Sequence, residues 1–181
     1  MRRLKRAGRG RAGVVVPNGT LFGDGVAARI KADLLTQFNL HTIVRLPEGV
    51  FSPYTDIPTN MIFFDTSGKT DEIWYWEQPR PEGRRKYSKT LPLQYEEFED
   101  CLAWWGDREE GPFAWKVDPS DLIRRDEEDR VVGVNLDIKN PHAKETADHR
   151  SPREIIKDAI EKGRQALILL EELQGLVGED V

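Results

Sequence analysis

The chain has 181 residues with 38% apolar and 33% charged side chains, enough for one soluble globular domain with a sizeable core. The single Cys101 excludes a disulfide framework and a cysteine-rich zinc cluster, and no apolar run reaches the roughly 18 residues of a membrane-spanning helix. Net charge is −5, unevenly spread: residues 1–11, "MRRLKRAGRGR", hold six basic residues and no acid, leaving 21 basic against 32 acidic residues (−11) in the rest.

That basic N-terminal arm has two readings, a solubilising terminus or a contact to nucleic acid. The acidic body argues against strong DNA binding by the chain alone, because phosphate contacts dominate such affinity. No hydrophobic segment follows the arm, so it is not a signal peptide, and a cytoplasmic location is expected.

Gly13 to Pro17, "GVVVP", is a short β-branched run bounded by Gly and Pro; without polar alternation it reads as a strand buried on both faces. Turn signals follow at Asn18-Gly19 and Gly23–Gly25. Val26, Ile30, Leu34 and Phe38 then fall four apart, which predicts an amphipathic helix with this face toward the sheet. His41–Pro47 and Thr59–Phe64 read as a second and a third strand. The first two strands are expected to form a parallel crossover pair, the last two an antiparallel pair. The loop joining that antiparallel pair, "EGVFSPYTDIP", carries Phe51 and Tyr54, which either plug the end of the core or offer a stacking face to a flat partner.

A further strand, "EIWYWEQ", starts at Glu72, with Ile73, Tyr75 and Glu77 alternating against Trp74 and Trp76. Residues 78–90 are loop-like and basic, with Arg80, Arg84, Arg85, Lys86 and Lys89; they form a solvated connection or a phosphate-facing patch. Tyr95, Phe98, Leu102 and Trp105 are spaced 3, 4 and 3, a packing stripe on a short helix with an acidic face. A strand follows in "FAWKV", then a helix capped by Asp118 with Pro119 at its first position. "NLDIKNP", 135–141, shows no clear periodicity.

Residues 142–150 read as a linker. Beyond them Ser151, Pro152 and Glu154 make a helix start with a capping box. Ala159, Gly163, Ala166, Leu170, Leu173 and Val177 repeat in steps of 4 and 3, a heptad-like seam. This helix folds back on its own domain or assembles with another chain.

The chemistry visible in the residues alone is sparse. His41, His142 and His149 lie far apart and no metal-ligand spacing is present; His41, at a strand start, is expected to make a local hydrogen bond. There is neither a GxGxxG after a strand nor a Walker pattern.

The stretches "GRAGVVVPNGTLFG" and "IKADLLTQFNLHTIVRLPEGVFSPYTDIPTNMIFF", continued by "PLQYEEF", "FAWKV" and "NLDIKNP", resemble the C-terminal half of the catalytic domain in modification subunits of type I restriction–modification systems. These are N6-adenine DNA methyltransferases using S-adenosylmethionine. The resemblance runs from about Leu4 to the final helix. It implies an α/β fold, the C-terminal half of a Rossmann-like methyltransferase sheet holding strands five, six and seven, with a helical C-terminal tail. Residues 12–141 would be the partial catalytic domain and 151–181 an assembly helix.

The departures from the family pattern have consequences. The family's glycine-containing donor motif and its Asn-Pro-Pro-Phe/Tyr motif are both missing, as is its preceding helical domain, so the chain reads as a truncated product or a fragment. No cofactor-binding residue can be assigned, and no methyl transfer is expected from this chain alone. A separate N-terminal methyltransferase portion would complete it. By the resemblance, Phe51 in "EGVF" matches the aromatic that packs on the flipped base, with Tyr54 as second candidate. In the phosphate-facing reading of the basic loop, Arg80, Arg84, Arg85 and Lys86 are the candidate DNA contacts. The seam from Ala159 to Val177 would join the specificity subunit. The alternative reading is a non-enzymatic assembly module acting through that helix; a second copy of the chain is a further candidate partner.

Overall fold

The computed structural model describes residues 4, 10–143, and, beyond them, 153, 156, 157, 160, 161, 163–167, 170 and 174. Most of the basic arm, residues 144–150 of the 142–150 linker, and Ala159, Leu173 and Val177 of the seam lie outside the described residues. The chain divides into two compact units, Met1–Ala143 and Lys144–Val181. In the second unit every described residue from Arg153 to Gln174 is helical and exposed, including Gly163, Ala166 and Leu170 of the seam.

The first unit is built on a five-stranded sheet: β1 (Arg11–Pro17), β2 (Asn39–Arg45), β3 (Thr59–Asp65), β4 (Ile73–Glu77) and β5 (Ala114–Val117). Their spatial order is β1-β3-β2-β4-β5. β3 runs antiparallel to both β1 and β2, whereas β2 and β4 are parallel. The expected crossover pair is therefore parallel in direction only: β1 and β2 are not neighbours, because the returning strand β3 is inserted between them. Helix α1 (Val26–Gln37) makes the connection from β1 to β2.

The β2–β3 register shifts between Leu40 and Thr42. Thr70 splices the irregularity: its hydroxyl accepts from the Leu40 amide at 2.8 Å and donates to the Phe38 carbonyl at 2.9 Å. Backbone groups displaced by a bulge need such partners when buried. His41, within the shift, makes the expected local contact, Nδ1 to Thr42 Oγ1 at 2.8 Å.

Alternation along β2 and β4 sends side chains to two cores. One holds Leu40, Ile43, Ile73, Tyr75 and Trp115 with Leu34 and Leu35 of α1. The small antiparallel pair β6 (Ile123–Arg125) and β7 (Val131–Val134) lies on this side, with Leu122 and Val134 in the same cluster. The other core holds Val44, Trp76, Ala114 and Cys101 of helix α2 (Glu99–Gly106), with Trp104 and Trp105 against it. The sheet is thus covered on both faces, which suits the aromatic density of β4.

Four sequence expectations need correction. β1 is an edge strand, not a strand buried on both faces: Val14 and Val15 are exposed, Val15 by 53%. The face of α1 turned to the core is Ala28, Lys31, Leu34 and Leu35, whereas Val26 and Ile30 point outward. The reason is Lys31, whose ammonium donates to the carbonyls of Leu21 and Gly23 at 3.1 and 3.2 Å and so turns a polar side chain inward. In the 95–105 stripe, Tyr95 and Leu102 are exposed while Cys101 is buried, because Tyr95–Phe98 form a 3-10 turn rather than the first turn of the α-helix. The Asp118-capped helix is a single 3-10 turn, Pro119–Leu122, with Asp118 accepting from the Ser120 amide at 2.8 Å.

Candidate functional site

The carboxyl ends of β1 and β2 point the same way, and in open α/β sheets ligands collect beyond such ends. The loop 46–58 leaves β2 there and returns as β3. It is folded as consecutive tight turns: Ser52 N–H donates to the Gly49 carbonyl at 3.0 Å, and the Phe51 carbonyl accepts from Tyr54 and Thr55 amides at 3.0 and 3.3 Å. The turn therefore carries both sequence-nominated aromatics, Phe51 38% and Tyr54 92% exposed. Ile57 beside them is also exposed.

The floor beneath this loop is polar. Asn60, fully buried near the start of β3, donates to Asn18 Oδ1 at 3.0 Å; Asn18 donates to Asp137 Oδ2 at 3.1 Å. Arg45, the last residue of β2, donates from Nη1 to the Ile138 carbonyl at 2.6 Å and sits 2.9 Å from Asp137 Oδ1. That oxygen is buried and receives no hydrogen bond, so its pairing with Arg45 is one of charge. Tyr75 reaches the same segment from β4, its hydroxyl donating to the Leu136 carbonyl at 3.0 Å, and burial holds its phenol far above the usual range. Asn140 donates to Glu77 Oε2 at 2.9 Å and to the Pro112 carbonyl at 2.8 Å. The aperiodic "NLDIKNP" stretch is thus a strap tied across the ends of β1, β2 and β4.

The basic segment lies beside the loop. Lys86 pairs with Asp56 at 3.2 Å. Arg84 pairs with Glu97 at 3.3 Å and lies over the Tyr87 ring, 5.0 Å from its centroid. Arg80 donates to the Arg85 carbonyl, and both Arg80 and Arg85 are exposed. The structure brings Lys86 to the Phe51–Tyr54 loop; Arg84 turns to Glu97 instead. Sequence reasoning assigned no role to Asn18, Arg45, Asn60, Asp137, Tyr87 or Glu97. The available signal was an Asn directly before the apolar run Met61–Phe64 of β3, and a polar strap without periodicity.

Among the described residues no cluster of His, Cys, Asp and Glu is arranged to hold a metal, and no helix is long and apolar enough to cross a membrane. The polar side chains Asn18, Arg45, Asn60 and Asp137 at the strand ends are engaged with one another. A cleft of about 500 Å³ lies between the loop after β1 and the β6–β7 pair, but Arg124 and Asp24 pair across it at 2.8 Å. Gly133 leaves room for that pair, since a Cβ there would lie 2.7 Å from Arg124 Nη2 and 2.9 Å from Asp24 Oδ1.

With this geometry in view, the similarities to known proteins fall in one group. Residues 3–150 match the family model N-6 DNA Methylase. The chain is 49% identical over 157 residues to the type I restriction enzyme EcoEI methylase subunit of Escherichia coli, covering 83% of this chain and 30% of that protein. Among solved structures, a modification subunit of a putative type I restriction enzyme from Vibrio vulnificus superposes with a TM-score of 0.78 at 56% identity, over 82% of this chain and 32% of the other. A chain from a study of complex assembly and conformational transition of the type I restriction–modification system superposes with a TM-score of 0.71 at 38% identity, covering 100% of this chain and 38% of its own length. The chain thus spans about a third of the relatives it matches. It belongs to the N-6 DNA methylase family, and its relatives are type I modification subunits.

Proposed function

We propose that these residues form the target-base side of a DNA adenine N6-methyltransferase catalytic domain, active only when completed by the portion that carries the methyl donor and the Asn-Pro-Pro motif. In that assembly S-adenosylmethionine supplies the methyl group, bound by the other portion. The contribution of this chain is to receive an adenine that has left the duplex. Phe51 stacks on the extruded base, Tyr54 flanks it, and Arg80, Arg85 and Lys86 face the phosphates, while Arg84, paired with Glu97 over the Tyr87 ring, orders the segment that carries them. Extrusion costs a few kcal/mol of stacking and pairing, and one aromatic face returns about 1–3 kcal/mol of it.

The observation that supports this most is the exposed Phe51 on the loop leaving the carboxyl end of β2, within a matched methylase sheet. The edge of β1, which pairs with no strand but β3 among the described residues, adds to it. Val14 and Val15 on an unpaired apolar edge are a liability in isolation and suit a neighbouring strand from the remaining portion. Assembly with a specificity subunit through the 159–177 seam, in the cytoplasm, completes the reading.

The test measures methyl transfer from labelled S-adenosylmethionine to duplex DNA, using this chain alone and this chain mixed with the N-terminal portion of a related modification subunit. Transfer is expected only from the mixture. Phe51→Ala should lower its turnover at least tenfold while donor binding is kept. Methylation by the isolated chain, or equal turnover with Ala at position 51, rejects the proposal.

A further inference from the structure

Gly49 and Tyr87 meet backbone to backbone. Gly49 is buried with φ of 81°, and a Cβ on it would lie 2.2 Å from the Tyr87 carbonyl oxygen. No other residue type fits both that conformation and that approach. The Tyr87 amide donates to the Glu48 carbonyl at 3.1 Å, which closes the contact from the other side.

Tyr87 is itself immobilised. Its side chain is fully buried; its hydroxyl donates to Glu97 Oε2 at 2.5 Å, and Arg84 covers its ring. Glu97 is held in turn: Oε1 accepts from the Gln94 amide at 2.9 Å, and its carbonyl accepts from Gln78 Nε2 at 2.5 Å. Gln78 directly follows β4 and is buried. A chain of contacts therefore runs from the rigid end of β4 through Glu97 and Tyr87 to Gly49, two residues before Phe51. The Lys86–Asp56 pair ties the far side of the same loop.

We propose that Tyr87 is a positioning residue: through Gly49 and Glu48 it fastens the Phe51 loop to the basic segment 80–86. One rigid unit then offers both a stacking face and cationic side chains to an unstacked nucleotide. This rests on the base-contacting reading of Phe51. The arrangement explains why a surface turn with exposed aromatics is anchored by a buried tyrosine from a separate loop. A preordered platform loses less conformational freedom when it binds than a loop that must first be ordered.

The experiment measures binding of a fluorescently labelled single-stranded oligodeoxyadenylate to the full chain by anisotropy at low salt. The variants are Phe51→Ala, Gly49→Ala, Tyr87→Phe and the double variant Gly49→Ala/Phe51→Ala, with far-ultraviolet circular dichroism confirming the sheet in each. Phe51→Ala should weaken binding about tenfold. Gly49→Ala should weaken it comparably, and the double variant no further, because the ring is already displaced. Tyr87→Phe, which removes only one hydroxyl, should give a smaller loss and keeps the test open if Gly49→Ala does not fold. Loss with Phe51→Ala beside wild-type binding by Gly49→Ala and Tyr87→Phe overturns the positioning role alone, as do fully additive losses. Wild-type binding by Phe51→Ala, or no saturable binding by the unaltered chain, overturns it together with the base-contacting reading.

Discussion

Arg45 at the end of β2 and Asp137 in the 135–140 strap face each other at 2.9 Å, both largely shielded from solvent. Nη1 of this arginine also holds the Ile138 carbonyl, so one side chain anchors the strap by charge and by hydrogen bond. Asp137→Asn keeps the shape and removes the charge. Because the pair is partly buried, the change should cost about 2 kcal/mol, between the exposed and fully buried cases. Urea denaturation should show a lower midpoint with an unchanged slope.

Tyr75 fastens the same strap from below. Its ring stacks on Trp115 at 5.2 Å between centroids, and its hydroxyl satisfies the Leu136 carbonyl. Tyr75→Phe retains the stack and leaves that acceptor without its partner. A loss of about 1–2 kcal/mol in unfolding free energy is expected, read by the same denaturation experiment.

Cys101 is buried in the core under α2, and that burial pushes its thiol up to about 11. The thiolate is the reactive form. Iodoacetamide at mildly alkaline pH should leave the native chain unmodified by mass spectrometry and alkylate it fully in guanidinium. Rapid modification of the folded chain contradicts the packing described for α2.

His41 has its imidazole pKa lowered from 6.5, first by burial and then by the Arg108 charge. Protonation therefore favours the unfolded chain, which binds more protons in the window below 6.5. The melting temperature should fall as pH drops from above 7 toward 5.5. His41→Gln should flatten that dependence, and the nuclear magnetic resonance titration of His41 should have its midpoint below 6.5.

How much of this was legible in the residues depends on range. The strands at 59–65 and 73–77, the intervening turn and the aromatic loop follow from local pattern, because alternation and turn chemistry act over a few residues. Insertion of β3 between β1 and β2 does not, since neither strand carries a sign of which edge its partner takes. The inward face of α1 was misread because Lys31, polar by type, is drawn in by two loop carbonyls, and spacing alone does not reveal such partners. The resemblance drew attention to Phe51, whereas Tyr87 stayed invisible: its contact with Gly49 joins residues far apart in sequence. Asp137 shows the same difficulty, with one partner at the end of β2 and the other in the turn after β1, both of which precede it by most of the domain.

The placement of β3 also sets an order for biosynthesis. β1 leaves the ribosome before β2, yet its hydrogen-bonding partner is the third strand made, with Arg11 opposite Asp65. Until residues 59–65 emerge, the valines of β1 have no complement within this unit. A nascent chain stalled just short of that point therefore leaves the edge of β1 that β3 pairs with without its partner, the kind of exposed strand edge that invites non-native pairing.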